Sequence, residues 1–69
     1  MKYKPTDIKA GDQFYIKGYG TIRISYTLMN GISVSYSILK EGKDIPIFAS
    51  CRTYNLCELL SKNNAKRIE

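Results

Sequence analysis

From Gln13 to Ile38 apolar and polar residues alternate with a period of two, interrupted by glycines at 18, 20 and 31. That pattern predicts strands joined by tight turns. Asn30-Gly31 between two such runs is a strong hairpin signal, and it admits two registers. A two-residue loop sets Leu28 against Ser33 and Tyr26 against Ser35, which mixes apolar and hydroxyl side chains on both faces. A three-residue loop, Met29-Asn30-Gly31, sets Leu28 against Ile32, Tyr26 against Val34, Ile24 against Tyr36 and Ile22 against Ile38. Directly opposed residues share a face, and a slip of one residue moves a strand's whole apolar set to the other side. The three-residue register separates the two chemical classes and puts Gly31 where the loop takes a left-handed backbone. It is the register predicted.

The same rule applied upstream gives a Gly18-Tyr19-Gly20 loop that pairs Lys17 with Thr21, Ile16 with Ile22, Tyr15 with Arg23 and Phe14 with Ile24. The result is a three-stranded meander. Its expected inner face is Phe14, Ile16, Ile22, Ile24, Tyr26, Leu28, Ile32, Val34, Tyr36 and Ile38. The outer face carries Tyr15, Lys17, Arg23 and a run of serines and threonines. Beyond Ile38 the polar stretch LKEGKD turns the chain, and IPIFAS, residues 45–50, reads as a fourth strand. Pro46 lacks an N–H and so belongs at a sheet edge or at the strand's first residue. Ile45, Ile47 and Ala49 make one face of this strand and Pro46 and Phe48 the other; either could turn inward, and the isoleucine face is the one preferred. The period then changes: Leu56, Leu59 and Leu60 form one helical stripe, with Ser50 or Thr53 to cap its start and Asn63 or Asn64 to end it. The helix is too short to be stable alone and must dock on the sheet. AKRIE closes the chain as a short strand through Ile68.

The chain thus reads as a single domain over residues 1–69, with its core in about residues 8–68. It is mostly β: a three-stranded meander, a fourth strand, a short helix and a final strand. The stretch IKAGDQFYIKGYGTIRI resembles the opening of small SH3-like barrels of the KOW and Tudor type. In those barrels a Gly-Asp pair, here Gly11-Asp12, leads into the first strand, and a glycine-bearing turn leads into an alternating second strand. A short helical turn before the last strand belongs to the same plan. The turn here is shorter than in the usual KOW motif. The layout is also similar to compact barrels encoded by phages and mobile elements, a resemblance that implies an accessory protein acting on a host macromolecule.

Composition narrows the chemistry. There is no histidine, so Cys51 and Cys57 lack the usual partner for an activated thiolate, and two thiols alone make a poor zinc site. The glycines are spaced as turns rather than as a phosphate-binding loop. No catalytic, metal or cofactor residues are expected. Two cysteines are too few for a disulfide framework, and the N-terminal stretch MKYKPTDIKAGD has no apolar run, which predicts a cytoplasmic protein without a leader or a membrane partner. Cys57, among leucines, reads as a small core residue. The net charge is +5, but the eleven lysines and arginines are scattered along the chain.

Tyrosine is the unusual residue: six are present and tryptophan is absent. Tyr26 and Tyr36 fall on the inner face as core. Tyr15, opposite Arg23, and Tyr19, at the tip of the first hairpin, form with Lys17 an aromatic-basic cluster. Three readings fit Tyr15, Lys17, Tyr19 and Arg23: a cross-strand cation–π pair of structural value only, a protein-binding hot spot, or a nucleic-acid contact. The expected function is a non-enzymatic binding module with a host protein as favoured target, and DNA or RNA as the alternative. A third possibility is a homo-oligomer or larger assembly formed through a sheet edge near Pro46 or through the final strand.

Overall fold

In the computed structural model, which describes residues 2–68, the alternating segments form five strands of one antiparallel sheet. These are β1 (Gln13–Ile16), β2 (Gly20–Leu28), β3 (Ser33–Lys40), β4 (Ile47–Arg52) and β5 (Lys66–Ile68). One helix, α1 (Thr53–Lys62), lies between β4 and β5, and the strands stand in the order β4-β3-β2-β1-β5. The ends of the expected domain, Met1 and Glu69, lie outside the described residues.

The first hairpin keeps its predicted faces but not its predicted pairs. Phe14 stands opposite Ile22 rather than Ile24, and Ile16 opposite Gly20 rather than Ile22. The turn is Lys17-Gly18-Tyr19, closed by the Tyr19 N–H donating to the Ile16 carbonyl, with Gly18 at φ +78°. This is a slip of two residues, and a period of two leaves every side chain on its expected side. Gly20 is therefore not a loop residue. It sits within β2, where a Cβ would lie 2.2 Å from the Leu39 carbonyl oxygen and 2.7 Å from the Lys40 Cα.

In the second hairpin both candidate registers occur, one after the other. Ile22 faces Ile38 and Ile24 faces Tyr36, as the three-residue loop predicts. Nearer the turn, however, Tyr26 faces Ser35 and Leu28 faces Ser33, the pairs of the discarded two-residue register. A β-bulge between Ile24 and Tyr26 joins the two, leaving Ser25 as the extra residue. Beyond that point the sidedness of β2 reverses. Tyr26 and Leu28 are exposed instead of buried, and so is Ile32, which belongs to a four-residue connection with Met29, Asn30 and Gly31 all at positive φ. Two backbone bonds from the segment before β1 converge next to the bulge: the Gly11 N–H donates to the Ile24 carbonyl and the Ile24 N–H to the Asp12 carbonyl. The chain entering β1 thus makes both bonds to one residue of β2, immediately before the extra residue Ser25.

The core lies between the inner face of the sheet, α1 and the N-terminal segment. Phe14, Ile16, Ile22, Ile24, Val34 and Ile38 come from the sheet, and Leu56, Cys57 and Leu60 from the helix. Tyr3, Ile8 and Ala65 complete it. The N-terminal contribution has no periodic signal to announce it. Tyr3 is held by its hydroxyl donating to the Ala65 carbonyl, its N–H donating to Ser61 Oγ and its ring meeting Phe14 edge to face at 5.2 Å. Across the same Phe14 ring stands the Arg67 guanidinium, 5.1 Å from the centroid and paired to Asp12 at 3.0 Å.

Helix α1 begins differently from expectation. Neither Ser50 nor Thr53 caps it; Arg52 occupies the cap position without a side-chain bond. Thr53 is the first helical residue and its buried hydroxyl donates to the Gly31 carbonyl, pinning the helix start to the β2–β3 connection. At the other end Asn64 takes the left-handed backbone at φ +52°, as its residue type allows. The fourth strand runs 47–52 rather than 45–50. Ile45 precedes it and is exposed, and Ile47, although on the inner side, is half exposed at the sheet margin. Pro46 stands immediately before β4, an edge strand, as its missing N–H requires. Among the described residues no helix is long and apolar enough to cross a membrane.

Candidate binding surface

The inner face of the sheet is covered; the outer face is not. Its side chains fall in cross-strand rows. One runs Gln13–Arg23–Ser37–Phe48 and the next Tyr26–Ser35–Ser50, with Leu28–Ser33–Arg52 beyond. A row on the other side runs Tyr15–Thr21–Leu39. The middle of this surface is floored by short hydroxyl side chains, and the large residues stand around it. Phe48 is 74% exposed and Tyr26 51%. These two share a shallow hollow of about 430 Å³ over Ser25, Ser35 and Ser50. A second hollow of about 350 Å³ lies beside it, lined by Arg23, Ser37, Leu39, Asp44 and Pro46.

The bulge is what builds this surface. Without Ser25 as an extra residue, Tyr26 and Leu28 would lie under the sheet and the hydroxyl floor would have no aromatic wall on the β2 side. β4 supplies the opposite wall because Phe48, paired with Ser37, must share the face of the serines.

The four residues expected to form an aromatic-basic cluster are divided by the structure. Tyr15 and Arg23 share the outer face but stand in neighbouring rows, since Tyr15 faces Thr21 and Arg23 faces Gln13. Tyr15 is not stacked on Arg23; its hydroxyl donates to Glu41 Oε1 at 2.5 Å. That bond to a carboxylate holds the phenol's pKa above its ordinary value. Lys17 is exposed in the turn, and Tyr19 bends to the inner side and packs against the core. The cation–π contact found among the described residues is instead Arg67 over Phe14, on the inner side. Arg23 alone of the four stands beside the exposed aromatic hollow.

The expectation missed Tyr26, Leu28 and Phe48. The discarded register was a signal for the first two, since it paired Tyr26 and Leu28 with serines. Phe48 was legible from Pro46 and Phe48 sharing one side of the fourth strand.

Three further ionisable groups among the described residues are shifted from their ordinary values. Burial raises the Cys57 thiol's pKa, the direction opposite to that of a reactive thiolate. Burial first, and then the neighbouring Cys51, raise that of Tyr36. Tyr54 is raised by donating to Glu58. Among the described residues no group of three or more His, Cys, Asp or Glu side chains gathers as a metal site. Comparison of the chain with protein-family models, with curated proteins and with solved structures returned no match.

Proposed function

We propose that this domain is a non-enzymatic protein-binding module whose contact surface is the uncovered outer face of the sheet. The observation that carries the reading is the pair Tyr26 and Phe48, both largely exposed across a floor of serines. Exposed aromatics around a desolvatable hollow, with an arginine alongside, are the composition of a protein-binding hot spot. The strand order, with a helix between β4 and β5, supports the SH3-like reading of the plan, and the resemblance to phage-type barrels adds a host macromolecule as the target. Two free thiols support a reducing, cytoplasmic setting.

Tyr26→Ser and Arg23→Glu test this directly, because both side chains are solvent-facing and neither contributes to the core. Each variant is expected to unfold within about 0.5 kcal/mol of the parent, as surface changes do. A protein retained from cell extract by the parent should be lost by both variants, and its purified form should bind them at least about tenfold more weakly. The reading fails if the variants retain the same proteins as the parent. It also fails if the parent binds generic DNA or RNA at low salt and loses it on adding salt, which is the behaviour of a phosphate-binding surface.

A further inference from the structure

The rows of the outer face give it a direction. β3 runs down its middle with Ser37, Ser35 and Ser33 on that face, and β2 and β4 stand on either side. At one end Arg23 faces Phe48 across Ser37; at the other Leu28 faces Arg52 across Ser33. Between them Tyr26 faces Ser50 across Ser35. Each flank of this trough therefore holds one arginine, and the two arginines occupy opposite ends. Four residues of β3 separate the ends, about 14 Å, and two strand spacings separate the flanks, about 10 Å, so the arginines stand about 17 Å apart from corner to corner.

Charge decides what can lie there. Both arginines are exposed, and among the described residues the ion pair present is Arg67 with Asp12, so neither has a carboxylate partner. No row of the trough contributes an acidic residue. Glu41 and Asp44 stand beyond its Ser37 end, the first bonded to Tyr15 and the second in the hollow beside Arg23. A second copy of this face would bring cations to cations. The serine floor decides the backbone of the occupant. A hydroxyl covered without a hydrogen-bond partner loses its solvation uncompensated. The flank of a helix has its backbone groups already paired, whereas an extended segment has free N–H and C=O groups to offer the serines.

Resting on the binding role proposed for this face, we infer that its ligand is an extended acidic segment of a partner protein, with two carboxylates about five residues apart. At about 3.4 Å per residue, that separation spans the distance from Arg23 to Arg52. An odd separation also sends the two side chains to opposite sides of an extended chain, as the two flanks require. The residues between alternate from flank to flank and meet Phe48, Tyr26, Ser50 and Leu28 in turn. The second, third and fifth positions are therefore apolar, and the fourth is small and polar. The guanidinium groups take the end carboxylates in charge-assisted, two-pronged hydrogen bonds. A nucleic-acid strand carries a phosphate at every residue, and two cations at opposite corners do not track one.

Nuclear magnetic resonance titration with capped six-residue peptides tests this. The probe has glutamate at both ends, leucine at the second, third and fifth positions and serine at the fourth; the control has glutamine at both ends. The glutamate peptide is expected to shift the Ser33, Ser35 and Ser37 amides and the Arg23 and Arg52 side-chain N–H signals, with a dissociation constant of about 1 mM or below. The glutamine peptide should bind about tenfold more weakly. Arg23→Gln and Arg52→Gln should each weaken the glutamate peptide about threefold, with an unchanged circular dichroism spectrum. Equal binding of the two peptides overturns the acidic preference and leaves the protein-binding role of the face standing. If neither peptide moves these signals the inference falls, and loss of the retained protein in Tyr26→Ser then shows that the role of the face survives it. A single-stranded oligothymidylate that moves the same signals at lower concentration overturns both.

Discussion

Gly20→Ala is expected to lower the midpoint of thermal unfolding by about 12–24 °C, from a loss of about 3 kcal/mol at about 4–8 °C per kcal/mol in a domain this small. The added methyl would lie 2.2 Å from the Leu39 carbonyl oxygen and 2.7 Å from the Lys40 Cα. Both obstacles are backbone, so no side-chain rotation relieves them. Gly20 and Lys40 form a pair without mutual hydrogen bonds, flanked by the Glu41 N–H donating to the Tyr19 carbonyl. Such pairs bring the two strands to their closest Cα approach. The alanine must push β3 off β2, and φ +147° at this position adds backbone strain. Gly18→Ala is the comparison. It also sits at positive φ, but nothing lies within 4 Å of its added carbon, so it is expected to cost only about 1–2 kcal/mol. Thermal melts of the two variants side by side check the difference. Equal losses would mean that the close approach of β2 and β3 is not what Gly20 serves.

Phe14→Ala is expected to have the larger effect, removing about 3–5 kcal/mol through the cavity alone. Phe14 is fully buried, and its ring joins three otherwise separate parts of the chain. Tyr3 meets it edge to face, Ile22 stands opposite it in the sheet and Arg67 covers it from β5. Losing the Tyr3 and Arg67 contacts adds about 1–2.5 kcal/mol. A domain of 69 residues has a total stability of roughly 3–10 kcal/mol, so the variant should be largely unfolded at 37 °C. The other phenylalanine provides the contrast. Phe48→Ala removes an exposed ring and should leave the denaturation midpoint of the monomer within about 0.5 kcal/mol of the parent. Urea titrations of both variants measure this. A Phe14→Ala protein as stable as the parent would dissociate the N-terminal segment and β5 from the core described above.

What was legible in the sequence follows from which signals are local. Alternation, turn glycines and the leucine stripe are local, and they located the meander, α1 and the left-handed Asn64. They also put Phe14, Ile16, Ile22, Ile24, Val34 and Ile38 inside, even though the first hairpin slipped by two residues, because a shift of one full period conserves faces. The bulge at Ser25 is not local. It answers the Gly11 and Asp12 backbone, which converge on Ile24 from another part of the chain. A rule that holds one register through a whole hairpin cannot represent it, and so Tyr26, Leu28 and Ile32 were expected inside. The contribution of Tyr3 was illegible for a similar reason: its partners, Phe14, Ser61 and Ala65, are remote in sequence. The cluster of Tyr15, Lys17, Tyr19 and Arg23 failed as a unit because it depended on pairs the slip removed. Arg23 kept its face and now borders the aromatic hollow; Tyr19 went to the core.

The bulge therefore determines whether the outer face is plain hydroxyl-bearing sheet or an aromatic-walled surface. Nuclear Overhauser contacts between Hα protons resolve the two arrangements. Pairs without mutual hydrogen bonds bring opposed Cα atoms to about 4.5 Å and give strong Hα–Hα cross-peaks. With Val34 bonded to β4, its Hα partner on β2 is whichever residue stands opposite. A strong cross-peak is expected between Thr27 and Val34. A strong cross-peak between Tyr26 and Val34 in its place would mean an unbulged β2, with Tyr26 under the sheet and no aromatic wall on the outer face.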